Sequence, residues 1–246
     1  MEKSPLTEPL LINLVMGKKL VFFDCDGVLI DSNNIKLAAV SDALYDLPQS
    51  ILMRCLQNFK MNFGRSRIWH FEVFYRIANP SGVAEHHFIH DRIQRYETYL
   101  KEHYILSLAV NGAKPLLEKL TSAGITCLVI SGGKETEIKA ILNRIGLSHY
   151  FKQIVGSPVV KEQAISTFLT QYQCTPEQTV FFGDAQADAQ AAMACQVPFL
   201  FVRQHALVES SVIHAHWPTY LWGGEITDLT PKQTVTLFPC IHSNFD

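Results

Sequence analysis

The spacing of apolar and polar residues changes character along the chain. The run "LVFF" at residues 20–23 is short and continuously apolar, as a buried strand is. From about residue 34 to residue 103 the spacing is helical, as in "AAVSDALYDL" and "HFIHDRIQRYETYLKEHY". The turn-forming stretches "NFGRS" and "NPSG" interrupt it. Beyond that point the pattern alternates. "AKPLLEKLTSAG" reads as a helix, "ITCLVIS" as a buried strand and "KETEIKAILNRIG" as a helix with Ile138, Ile141, Leu142 and Ile145 on one face. "QIVG", "TVFFGD" and "PFLFV" read as further strands, separated by the helical "KEQAISTFLTQY" and "ADAQAAMAC". A last return to the sheet edge is expected near "PTYLW".

Strands alternating with helices predict an α/β fold with a parallel sheet covered on both faces. The helical stretch is then an insertion. Residues 34–103 form a helical module, and residues 1–33 with 104–246 form the core.

Composition narrows the classes. The 246 residues are 48% hydrophobic and 18% charged, which favours a sizeable core over disorder. A formal net charge of -2, with scattered basic residues, gives no nucleic-acid or anionic-membrane signature. The apolar patch at residues 10–16 is too short to span a bilayer. Glu2 and Glu8 before it, and Gly17-Lys18-Lys19 after it, do not fit a secretory signal. Of the six cysteines, none forms a C-x-x-C pair, so reduced residues of a cytoplasmic protein are expected.

Chemistry enters at the strand ends. Three apolar runs finish in functional groups: "KLVFFD" in Asp24, "TCLVIS" in Ser131 and "TVFFGD" in Asp184. Parallel strands bring such ends to one edge, where open α/β sheets bind ligands. Asp26 and Asp188 lie close by in sequence. Carboxylates at the margin of a core need a partner or a cation. Asp24 and Asp184 could hold Mg²⁺, and Asp24 could attack a phosphoryl group. Asp26, turned back by Gly27, could protonate the leaving alkoxide and later take a proton from water. Ser131 with the N–H groups of Gly132 and Gly133 precedes a helix and offers an anion site. Lys161, opening a helix in "GSPVVKEQA", could balance the charge, in competition with Lys134 and Lys152.

These residues resemble the motifs of the haloacid dehalogenase-like (HAD) hydrolase superfamily. "DCDGVLIDS" resembles its first motif, "VISGG" its second, Lys161 in "GSPVVK" its third and "GDAQADAQAA" its fourth. The resemblance covers roughly residues 19–203. It departs from the usual pattern at Ala185 and at Cys195-Gln196, where no catalytic group is involved.

The resemblance implies a Rossmann-like core, a helical cap inserted after the first motif, Mg²⁺ dependence and an aspartyl-phosphate intermediate. It implies side-chain metal ligation by Asp24 and Asp184, backbone ligation by Asp26, and Asp188 as a ligand or a neighbour of the ligands. The expected function is a Mg²⁺-dependent phosphatase acting on a small phosphomonoester, such as a sugar phosphate. A phosphoglucomutase-type phosphoryl transferase uses the same aspartate pair and is the alternative. A non-catalytic binding protein on this scaffold is the third reading, but it should have lost one of Asp24, Asp26, Lys161 or Asp184, and all four are present. The expected partner is a small phosphorylated metabolite. Arg65 and Arg67 in "NFGRSRIW" are candidates to read the rest of it, with pairing to cap acids such as Glu72 as the competing role.

Overall fold

The computed structural model describes residues 15–216, 223–224 and 226. Alternation within the first strand organises it. In β1 (Leu20–Phe23), Leu20 and Phe22 point to one face of the sheet and Val21 and Phe23 to the other. Both faces are covered, which is why the run is apolar throughout.

Around β1 lie β2 (Thr126–Lys134), β3 (Phe151–Ser157), β4 (Thr179–Gly183), β5 (Phe199–Val202) and the two-residue β6 (Gly223–Gly224), all parallel, in the order β3-β2-β1-β4-β5-β6. β1 is flanked by β2 and β4, with Phe23 opposite Val129 on one side and Phe182 on the other. The Phe23 and Phe182 rings stack with centroids 4.9 Å apart. The expected strand at "PTYLW" lies outside the described residues, directly before β6.

Four inserted helices follow β1: α1 (Asn33–Ala43), α2 (Gln49–Met61), α3 (Arg67–Ala78) and α4 (Glu85–His103). The core helices are α5 (Ala113–Ser122), α6 (Glu135–Arg144), α7 (Lys161–Gln171), α8 (Gln186–Ala194) and α9 (Ser210–His216). One apolar cluster joins Leu20, Phe22, Leu128 and Ile130 to Ile165 and Phe168 of α7 and to the alanines of α8. The other joins Val21, Phe23 and Val129 to α5 and α6 and runs on into the four-helix block through Val40, Phe59, Phe71, Phe74 and Tyr96. The block is thus packed on the sheet's side of the site rather than tethered at a distance. Phe71 and Phe74 are buried in it, whereas Trp69 is only half-buried.

One boundary differs from the apolar pattern. "TCLVIS" suggests a strand ending at Ser131, but β2 continues to Lys134, with a break in register between Ile130 and Lys134. The two glycines bring no side chains to anchor a regular ladder, and the Ser131 hydroxyl accepts a hydrogen bond from Gly133 N at 3.1 Å. Among the described residues, no helix is long and apolar enough to cross a membrane.

Candidate active site

The C-terminal ends of β1, β2 and β4 share one edge. Asp24 follows β1, and its N–H donates to the Phe182 carbonyl at 2.8 Å, which locks it to β4. Asp184 follows β4. Asp24, Asp184 and Asp188 are at most 1% exposed, and a carboxylate oxygen from each lies within 4.8 Å of the others.

Local sequence explains how each is aimed. Gly27 has φ of +77°, so the chain turns sharply after Asp26. A Cβ at Gly27 would sit 2.1 Å from Asp184 Oδ2, so the glycine also makes room for the carboxylate. Asp188 lies in the first turn of α8, where its Oδ2 accepts from the N–H groups of Asp184 (3.2 Å) and Ala185 (3.1 Å). That contact satisfies free helix-start donors and fixes the acid in place.

Lys161, the first residue of α7, is 6% exposed. Its ammonium donates to Asp24 Oδ1 at 2.8 Å and to Asp188 Oδ1. Burial lowers its pKa, but the two carboxylates outweigh that and hold it raised. The rival lysines lie elsewhere: Lys152 is exposed, and Lys134 is exposed and 3.7 Å from Glu97. Burial, reinforced by Asp188 and Asp26 against the pull of Lys161, pushes Asp24 up to about 7. Asp184 is raised well above the carboxylate range, first by burial and then by Asp24 and Asp188.

Three buried carboxylates facing one ammonium leave an excess of negative charge. Asp184 Oδ1 is buried with no hydrogen-bond partner, while its Oδ2 accepts from Asn33 Nδ2 at 2.6 Å. A cluster of hard oxygen donors with an unpaired buried oxygen is chemically suited to a hard divalent cation. Asp26 stands apart from this cluster. Its side chain accepts from Ser32 Oγ at 2.6 Å and pairs with the Lys36 ammonium.

The four-helix block reaches over the same edge. A Cβ on Gly132 would lie 2.1 Å from the Gly64 carbonyl, so only glycine allows that approach. Arg65 donates to Gln190 Oε1 on α8 at 2.6 Å and stacks on Trp69, its guanidinium carbon 4.9 Å from the ring centre. Arg67 does not pair with Glu72. It donates to Glu97 on α4 at 2.6 Å and to Glu137 on α6 at 3.1 Å, with a second bond to Glu137. Both arginines therefore bridge the block to the core. The cavity beneath them, of about 30 Å³, is lined by Asp24, Asp26, Lys36, Arg67, His70 and Ser131 among others.

Four residues at this site escape sequence reasoning: Ser32, Asn33, Lys36 and His70. Lys36 and His70 each sit inside helical apolar patterns, where burial of a lone polar residue is invisible without the fold. A faint signal existed for the first two, since "DSNN" directly follows the strand and opens α1. His86, His87 and His90 are exposed on α4, and among the described residues the aspartate trio is the only cluster suited to a metal ion.

A parallel sheet with buried acids at two strand ends and a serine at a third, roofed by helices inserted after the first strand, defines a class of hydrolases. The model of the haloacid dehalogenase-like hydrolase family matches residues 21–202, and the chain belongs to that family. Phosphoglycolate phosphatase of Pseudomonas putida is 26% identical over 191 residues, covering 73% of this chain and 67% of the relative. The enzyme of that name from Aliivibrio fischeri is 24% identical over 197 residues, covering 72% and 80%. The fold is also that of a hydrolase from Pseudomonas syringae, with TM-score 0.71, 18% identity, and 86% and 96% of the two chains covered.

Proposed function

We infer that the protein is a Mg²⁺-dependent phosphatase of small phosphate monoesters, working through a phosphorylated Asp24. The observation that carries this reading is the buried Asp24–Asp184–Asp188 cluster held by Lys161 at the strand ends. The names of the relatives support a small phosphate ester as substrate.

A Mg²⁺ held by Asp24 and Asp184, with Asp26 contributing its backbone carbonyl, would offset repulsion between the ester's phosphate and the attacking carboxylate. Asp188 orients Lys161 and completes the acidic cluster. Asp24 Oδ attacks phosphorus, the phosphorus–oxygen bond to the alcohol breaks, and its electron pair leaves on the alkoxide. Asp26 gives that alkoxide a proton. It then removes one from the water that attacks the acyl phosphate, which restores Asp24 and releases phosphate. Ser131 and Gly132, with Lys161, hold the phosphate oxygens. The helical block of residues 34–103 serves as the cap that excludes bulk water, and Arg65 and Arg67 act in substrate recognition from it. The five described cysteines are unpaired, which is consistent with a reducing compartment, and we place the protein in the cytoplasm.

The test is phosphate release from 2-phosphoglycolate and other short esters with and without Mg²⁺. Asp24→Asn should lower turnover by about three orders of magnitude or more. Retention of about a tenth of the wild-type rate by that variant would remove Asp24 as nucleophile. Bisphosphate-primed isomerisation of a hexose phosphate without phosphate release would replace the phosphatase with a transferase.

A further inference from the structure

His70, on α3, is 2% exposed. Its imidazole is walled by aromatic rings: Phe59 at 4.7 Å, Trp69 at 5.2 Å and Phe74 at 5.9 Å between centroids. None of these offers it an acceptor. Its Nδ1 is buried without a hydrogen-bond partner. A polar atom left in that state is costly, so a ring kept there needs a partner from outside the protein's own side chains. The ring also lines the cavity that holds Asp24, Asp26 and Ser131.

The neighbouring charges say what that partner is. Burial, with the positive charges of Arg65 and Lys36, depresses the His70 pKa to about 3. The ring is therefore neutral, with one N–H to donate, in a positive local field. A carboxylate is the acceptor that both features favour. Size limits the remainder. The cavity of about 30 Å³ has room for two or three waters, since each needs about 10–15 Å³. The Gly64–Arg65 loop lies directly on Gly132 and narrows the space beside Ser131, which favours a short leaving group.

We propose that His70 is a specificity-determining residue that hydrogen-bonds a carboxylate on a short leaving group, so that the preferred substrate is a two- or three-carbon phosphate ester of a hydroxy acid. The proposal rests on the phosphatase reading above, and its test separates the two. The measurement is the ratio of kcat/KM for 2-phosphoglycolate over ethyl phosphate, which share a two-carbon skeleton and differ by the carboxylate. Wild type should favour the carboxylated ester by about a hundredfold or more, and His70→Phe, which keeps the aromatic packing, should reduce the ratio by about tenfold or more. His70→Asn, which keeps a nitrogen near Nδ1, should retain part of it. A ratio that stays within about twofold in both variants, or an equal loss on both esters, overturns the proposal. Wild type releasing phosphate from neither ester overturns the phosphatase reading itself. Should both variants fail to fold, ¹⁵N NMR of the wild-type imidazoles decides. 3-Phosphonopropionate should shift the His70 ring nitrogens where propylphosphonate does not, and an equal response to both ligands refutes the carboxylate contact.

Discussion

At the scale of single residues, the two acids after β1 sit two positions apart yet in different surroundings. Asp24 faces Lys161 and the acidic cluster, whereas Asp26 is held by Ser32 and Lys36. This division predicts different consequences for different leaving groups. Asp26→Asn should slow an alkyl phosphate far more than a nitrophenyl phosphate, whose leaving group needs little protonation. Equal losses in single-turnover assays of the first step would count against Asp26 as the acid. His70 carries a separate prediction about pH. Its folded pKa of about 3 lies below the unfolded value of 6.5, so the unfolded chain binds more protons between the two. Stability from the neutral ring is complete above 6.5 and drains away as pH falls toward 3. Going from pH 6.5 to pH 5 should cost wild type about 2 kcal/mol that His70→Phe does not lose. Urea melts of both proteins at the two pH values check this; parallel curves would mean that His70 does not titrate as a buried base.

At the scale of elements, the helical block is fastened to the core by side chains that the apolar pattern does not reveal. Arg67 of α3 spans Glu97 of α4 and Glu137 of α6, with its side chain 13% exposed and that of Glu137 28%. Partial burial lifts such a pair above the surface norm. A double-mutant cycle of Arg67→Ala and Glu137→Ala should give a coupling energy of about 1–2 kcal/mol in unfolding experiments. Additive effects would show that the pair does not fasten the block. The contact also bears on how far the elements were legible. The helix-period stretches correspond to α1–α4, and the short apolar runs to β1, β4 and β5, because burial on one or two faces writes itself into local spacing. The extension of β2 through Ser131–Gly133 was not legible, since glycines carry no periodic signal.

At the scale of the whole molecule, a cation held by the acidic cluster would couple its binding to folding. Three buried carboxylates repel one another in the metal-free protein, and a cation that binds only the folded state stabilises it. Mg²⁺ at about a hundred times its Kd should add about 2.7 kcal/mol, read as a rise in Tm, and EDTA should reverse it. Asp184→Asn should blunt the response. A wild-type Tm indifferent to millimolar Mg²⁺ would argue against a Mg²⁺ site.

The sequence by itself determined the α/β class, because strands buried on both faces must alternate with amphipathic helices. It also marked Asp24, Ser131 and Asp184, because polar residues ending apolar runs are costly without a purpose. Tertiary structure alone decided the remainder. The pairing of Lys36 with Asp26, the bridging of Arg67 to Glu137 and the enclosure of His70 by three aromatic rings join positions on separate elements. Local spacing records which face of an element is buried. It does not record which polar groups from other elements meet there, and in this protein that meeting shapes the cavity over the aspartates.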